Sequence, residues 1–431
     1  MLQRSIVLVV FLYVGVGVVM TARAQSPEAP VPTWIPPGQH VPAGNGIVQP
    51  ILTTERSEFV FRDPPPSLAG QPAVAEQAAL LVAGDDLKPA VKEKMAQAEK
   101  GKSAALWFTS MSGLVMTRDR ANDVGLSRLG STGPVDFTTR DADMGWGGGF
   151  DIRFGRFFNE RRQAWEVVYW GLFADTEVAN RDQLGLGTRD PLLAFDMLTY
   201  NGRGNPVFDF YANAVQQRLR RDNEFHNVEA NLWGNTHGIK EAGSLQIGWQ
   251  AGIRFLRFRE SLHFMADGDA GDGLFTGGID EIDYSMETEN RLLGFQLGGL
   301  AQQGLSDRWS MHAGVKVALL GNHMTNNSRI DGSAGAAFID DLGGATDRHP
   351  YDIHSQKNDV AMLGEIDLGA TYQIRQRWRA FLGYRAVALT GVALPTNQFP
   401  TDFSDLPGAS VIRSNGSLIL HGGYAGIELL Y

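Results

Sequence analysis

The sequence predicts an all-β chain: an up-and-down antiparallel transmembrane β-barrel of about ten strands, twelve also being compatible, behind an N-terminal arm of disordered and helical character. Three observations predict it. Ten segments between Ala104 and Tyr431 alternate apolar and polar residues with the two-residue period of a strand. The connections between them alternate long and short without exception. Large aromatic residues gather where one rim of such a barrel would lie.

The first element is a targeting segment. Arg4 precedes an apolar run from Ile6 to Met20, and Ala22-Arg23-Ala24 puts small residues where a signal peptidase reads, so residues 1–24 are expected to be cleaved on export. That run is shorter than the roughly 20 residues of a spanning helix, and no later stretch is apolar for so long. Residues 25–72 hold eleven of the 19 prolines and read as a disordered periplasmic linker. Residues 73–103 turn to Ala, Glu, Lys and Gln, with Pro89 placed to start a helix, and read as a short helical spacer.

Residues 104–431 form the expected barrel. Composition supports it: 51 Gly, 23 Phe, 10 Tyr and 9 Trp suit turn-rich β structure, and the absence of Cys excludes a disulfide-stapled domain. A net charge of −10 with no basic patch argues against nucleic acid as a partner. The strands are expected near 104–117, 147–157, 164–173, 223–233, 244–258, 284–300, 309–324, 359–374, 378–391 and 415–431. In the fifth, Leu245, Ile247, Trp249, Ala251, Ile253 and Phe255 share one face, and Gln246, Gly248, Gln250, Gly252 and Arg254 the other. Apolar residues would face lipid and polar ones the lumen. A soluble two-sheet sandwich carries the same alternation with its apolar face inward, so a secreted binding domain is the alternative that period alone leaves open.

Aromatic placement favours the barrel. Trp107, Trp165, Trp309 and Trp378 near the starts of odd strands, with Trp233 and Tyr431 at the ends of even ones, are expected to form a girdle on one rim. The parity that sends apolar residues outward sends Asp151, Arg153, Glu166, Glu229, Gln246, Gln250, Arg254, Gln296, Lys316, Glu365, Asp367, Arg379 and Arg385 into the lumen. Acids and bases balance there, which predicts a polar core or a narrow water-lined passage, since a wide pore needs about sixteen strands. The long connection from about Ala174 to Asp222 could fold inward as a constriction, with Arg218, Arg220 and Arg221 setting its charge.

The last strand is read from Tyr424-Ala425-Gly426-Ile427-Glu428-Leu429-Leu430-Tyr431, which resembles the C-terminal assembly signal of bacterial outer-membrane barrels and implies the barrel-assembly machinery as a partner. Gly147-Gly148-Gly149-Phe150-Asp151-Ile152-Arg153-Phe154-Gly155, Ala164-Trp165-Glu166, Gly171-Leu172-Phe173, Gly252-Ile253-Arg254-Phe255-Leu256-Arg257-Phe258-Arg259-Glu260-Ser261-Leu262 and Asn290-Arg291-Leu292-Leu293-Gly294-Phe295-Gln296-Leu297-Gly298 resemble the putative beta-barrel porin family of planctomycete bacteria, from about Ala104 to the end. That resemblance implies an outer-membrane barrel of a Gram-negative-type envelope and carries over no catalytic residue. The expected function is a narrow passive channel for small solutes or ions, or a structural envelope barrel, embedded in outer-membrane lipid and without a cofactor.

An outer-membrane hydrolase is the competing class. His263, His323, His349 and His354, with Asp267, Asp269, Asp272, Asp340 and Asp341, fall in or near external loops. No nucleophile elbow or fixed His–Asp pair accompanies them. The run Asp267-Gly268-Asp269-Ala270-Gly271-Asp272-Gly273 lacks the ligand spacing of a calcium loop and reads as a solvated turn, so neither catalytic nor metal residues are expected.

Overall fold

The computed structural model describes residues 107–431 except 121, 160, 184–187, 201–205, 236–241 and 341–347. The signal segment, Pro-rich arm and helical spacer expected over 1–103 lie outside the described residues. Ten long strands build the wall: β1 (Trp107–Arg118), β2 (Gly147–Phe158), β3 (Gln163–Asp182), β4 (Gln216–Gly234), β5 (Leu245–Asp267), β6 (Glu281–Gly304), β7 (Trp309–Gly332), β8 (Asp352–Arg375), β9 (Trp378–Val392) and β10 (Gly416–Leu430). Each pairs antiparallel with the next, and β1 closes on β10 from Phe108 opposite Leu430 to Arg118 opposite Leu420. Trp107 and Tyr431 exchange backbone hydrogen bonds of 2.8 and 2.9 Å, which carries the seam to the last residue. Closure leaves no edge of unpaired backbone, the condition for crossing lipid with strands. The barrel has ten strands rather than twelve.

Strand direction puts the short turns β2–β3, β4–β5, β6–β7 and β8–β9 on the rim of Trp107 and Tyr431, here the turn rim, and the long connections on the opposite, loop rim. One bulge needs its glycine: Gly391, at φ +79°, lies where the β9–β10 register shifts between Thr390 and Val392.

The wall changes character part-way up. Along β5 the outward residues from the turn rim are Leu245, Ile247, Trp249, Ala251, Ile253 and Phe255, and then Arg257, Arg259, Ser261 and His263. The inward residues do the reverse, from Gln246, Gln250 and Arg254 to the buried Leu256, Phe258, Leu262 and Phe264. On β6 outward Leu293, Phe295 and Leu297 give way to Arg291, Glu289 and Glu287; on β7 outward Val315, Val317 and Leu319 give way to His323, Thr325 and Asn327. The apolar belt from Leu245 to Phe255, at about 3.3 Å per residue and a tilt near 40°, stands about 25 Å tall, the height of a membrane-barrel belt. Above it the strands obey the pattern of a water-soluble sheet closed around its own core.

This inversion corrects two expectations. Strands β3 to β8 are longer than the sequence reading gives, because their upper halves reverse the apolar-out, polar-in rule on which that reading depends, whereas β1, β2, β9 and β10 lie close to their expected bounds. Arg218, Arg220 and Arg221 therefore sit on β4 rather than in a loop: the connection runs from 183 to 215, Arg218 and Arg220 point outward, and Arg221 points into the barrel.

The loops close the upper end. Short strands Gly125–Leu129, Val135–Thr138 and Arg189–Pro191 form one small sheet, and Leu198–Tyr200 joins Gly335–Asp340 and Arg348–Pro350 in another. Phe137, Phe195, Tyr200, Tyr211, Phe399 and Phe403 from these connections pack with Phe264, Tyr284 and Tyr351 into one buried cluster. The helix Val207–Ala212 is pinned there, Tyr211 donating to the Phe264 carbonyl at 2.6 Å and accepting from the Tyr284 amide at 3.1 Å. Burial pushes that phenol well above its usual value, so it stays protonated and keeps donating.

Candidate functional site

The lumen is the candidate site, and the inward face of β5 shows its order. Gln246 and Gln250 line a vestibule at the turn rim; Arg254 starts an ion cluster; Leu256 and Phe258 belong to an apolar layer; Glu260 holds a second ion cluster; Leu262, Phe264 and Ala266 belong to the aromatic cap.

The lower ion cluster braces the wall. Arg254 pairs with Glu229 on neighbouring β4 and with Glu365 on β8, three strands away around the barrel. Lys316 Nζ lies 3.0 Å from each of the same two carboxylates. Arg385 on β9 stands 3.8 Å from Glu365, 3.2 Å from Asp367 and 2.9 Å from Asp151 on β2, and Arg153 pairs with Asp151 at 3.1 Å. Asp367 also accepts from the Tyr424 hydroxyl at 2.6 Å and lies 2.9 Å from His312 Nε2. Gln296 and Asn227 donate to Glu229, and Asn231 to both Glu166 and Glu229. One chain of charge thus runs Glu229–Arg254–Glu365–Arg385–Asp151 across the interior. Buried ions persist only when paired and hydrogen-bonded, and here each carboxylate has several donors.

Above it, Leu114, Trp170, Leu172, Phe225, Leu256, Phe258 and Leu420 belong to one buried apolar layer. Phe225 and Phe258 stack with ring centroids 4.5 Å apart. The next layer is polar: Glu260 is held by Arg118 at 3.0 Å and by Arg221, and Arg221 also reaches Asp143 at 3.2 Å and the Thr139 carbonyl at 3.1 Å. Burial would raise the Glu260 carboxyl, but the two guanidiniums outweigh it and hold it below the usual range.

All the side chains expected in the lumen face inward. Asp151, Glu166, Glu229, Gln250, Arg254, Gln296, Glu365 and Arg385 are buried; Arg153, Gln246, Lys316, Asp367 and Arg379 are half-buried. Most of them belong to the ion cluster or its immediate shell, while Gln246 and Arg379 sit lower, Arg379 pairing with Glu428 at 3.0 Å near the rim.

Of the girdle residues, Trp107, Trp165, Trp309, Trp378 and Tyr431 lie on the outward parity of the turn rim. Trp107 stacks on Phe154 at 5.2 Å and meets Trp165 edge-on at 5.7 Å. Trp233 does not join them. It shares the inward parity of Glu229 and Asn231, packs near Phe108, Ala164 and Leu430, and lines the vestibule. Trp249 on β5 holds the outward place instead, lying over Gly234 so closely that a Cβ there would come 2.1 Å from the indole.

The loop histidines are not gathered. His263 lies 2.7 Å from Asp283, His323 2.8 Å from Asn358 and His354 2.9 Å from Asn327, each on the outer wall, while His349 is in a short cap strand. Asp267 and Asp269 accept amides of their own turn, which also holds Asp272; the side chains of Asp340 and Asp341 lie outside the described residues. Among the described residues no three His, Asp or Glu side chains form a group able to hold a metal.

A family model described as putative beta barrel porin-7 matches residues 105–415. The chain belongs to that family. As a porin-7 family member with a closed ten-strand wall, it is an outer-membrane β-barrel. No curated protein matches the chain. Among solved structures it is similar to a major outer membrane protein from Thermus thermophilus, at 11% identity and TM-score 0.28 over 76% of this chain and 99% of that one. It is also similar to the translocator domain of autotransporter NalP from Neisseria meningitidis, at 8% identity and TM-score 0.31 over 83% and 98%. A Pseudomonas aeruginosa FadL homologue matches at 8% identity and TM-score 0.22 over 76% and 89%. At these scores none of the three informs the lumen of this porin-7 barrel.

Proposed function

We propose that this chain is a structural envelope barrel, shut at rest, rather than an open diffusion pore. The observation that carries the reading is the succession of filled layers above the vestibule, above all the charge chain from Glu229 to Asp151 and the apolar layer around Phe225 and Phe258. Any passive current is small and without strong charge preference, because the lower cluster is balanced. The cleaved leader delivers the chain to the periplasm, the terminal strand engages the assembly machinery, and the turn rim faces the periplasm. The cap then faces outward as a contact surface. No catalytic step enters this reading, since His263, His323 and His354 stand apart on the outer wall and His349 lies in a cap strand.

The test is single-channel recording of the purified full chain in a planar bilayer, after a heat-modifiable gel band has certified the closed barrel. A quiet membrane with rare small events is expected. Steady, large conductance steps from the unmodified protein would sink the proposal.

A further inference from the structure

Between the turn rim and the lower ion cluster lies a cavity of about 320 Å³, at the small end of the range for ligand pockets. Its upper wall is unusually built. Trp233 on β4, Gln250 on β5, Gly298 on β6 and Lys316 on β7 stand directly opposite one another in one cross-strand row. Gly298 lets the neighbouring strand lie close in that row, since a Cβ there would stand 2.7 Å from the Val315 carbonyl oxygen and 3.1 Å from Lys316 Cγ. Gln250, 2% exposed, contributes to the cavity wall, and its Nε2 has no hydrogen-bond partner among the described residues. A buried amide donor left unpaired is costly and is a natural point for a ligand acceptor.

We propose that this vestibule is a binding site for a small neutral polyhydroxylated solute of mono- or disaccharide size. Three features select that class. The wall carries acidic side chains together with Lys and Arg, so a net ion gains little overall attraction. Amides Gln246, Gln250 and Gln302, beside acids and guanidiniums, offer donors and acceptors together, which hydroxyl groups match and a carboxylate or an ammonium matches by half. Trp233, Phe108 and Phe381 supply ring faces whose negative quadrupole suits the C–H faces of a sugar ring. The site needs no passage through the barrel, so it stands or falls separately from the closed-lumen reading.

The experiment titrates maltose into the full-length barrel in detergent, following tryptophan fluorescence and isothermal heat, with benzoate and lysine as charged probes. Gln250→Leu removes the amide. Gly314→Trp fills the cavity from a position where a Cβ meets nothing closer than 3.5 Å. A retained heat-modifiable band certifies each variant. Saturable maltose binding is expected, about tenfold weaker in Gln250→Leu and abolished in Gly314→Trp, with neither charged probe competing. The fluorescence change should vanish in Trp233→Phe while the binding heat persists. No saturable signal in the unmodified protein overturns the site, as does binding unaffected by filling the cavity. Stronger binding of benzoate or lysine overturns the proposed class. If both lumen variants fail to close, Gln302→Met at the open rim must weaken maltose binding, and unchanged affinity there also overturns the proposal.

Discussion

Arg254→Ala is the sharpest test of the lower ion cluster. The guanidinium is wholly buried and serves two carboxylates on β4 and β8. Removing one partner of a buried pair generally costs about 3–5 kcal/mol, because the other charge is stranded. Here the loss is softened: Lys316 remains 3.0 Å from both Glu229 and Glu365, and Gln296 still donates to Glu229 at 2.9 Å. The lower end, about 3 kcal/mol, is therefore expected. Arg254→Lys restores the charge at a single nitrogen, and because one Nη2 of Arg254 reaches both carboxylates, as Lys316 Nζ also does, it should recover more than half of that loss. Adding Glu365→Gln to Arg254→Ala removes one stranded charge and should return at least about 1 kcal/mol. The assay is urea unfolding of the refolded barrel in detergent or lipid, with the heat-shift gel as a second probe. Conductance should stay low in all these variants, since the apolar layer is a separate barrier. Arg254→Ala within about 0.5 kcal/mol of the unmodified barrel would refute the claim that these charges brace the wall.

The apolar belt predicts asymmetric tolerance: Leu297→Arg, at mid-belt and exposed, should cost about 2–4 kcal/mol in lipid, whereas Arg259→Leu above the belt should be nearly neutral. Lipid-refolded unfolding curves distinguish the two positions. Glu260 predicts acid sensitivity. Its carboxyl is depressed in the folded state, so its contribution is present above the unfolded value near 4.3 and is lost as pH falls through the folded one; Glu260→Gln should flatten that dependence, read as protease sensitivity of the cap against pH. Deleting Tyr431 removes both backbone hydrogen bonds to Trp107 and should lower the heat-modifiable fraction recovered from outer membranes, with total synthesis unchanged on the boiled gel.

The sequence is most legible where the chain meets lipid. From Leu245 to Phe255 the contrast between faces is steep, and the inward parity of Arg254, Lys316, Glu365 and Arg385 follows directly from it. From Leu256 to Asp267 the same strand continues with the sense reversed, and a rule tuned to one environment reads such a segment as loop. Glu260 shares the parity of Arg254, as Arg118 shares that of Met116, so strict counting past the boundary finds the second cluster. Trp233 departs from the girdle because a rim aromatic need not face lipid, and Glu229, four residues above it on the same strand face, fixes that face as the inward one. The cap has no such local signal: Phe137, Phe195, Tyr211 and Phe403 meet from three separate connections, and no local period records that meeting.

The reversal along β5, β6 and β7 also means that one continuous wall is held together by two different forces. Near the turn rim, outward leucines and phenylalanines rest against hydrocarbon, and removing lipid removes what opposes their exposure. Near the loop rim, Phe264, Tyr284 and their neighbours are excluded from water itself, so their cohesion carries the heat-capacity signature of a soluble core. Cooling, urea and delipidation should therefore loosen the molecule from different ends. The two ends share every backbone ladder, and a strand cannot fray at one of them without loading the other.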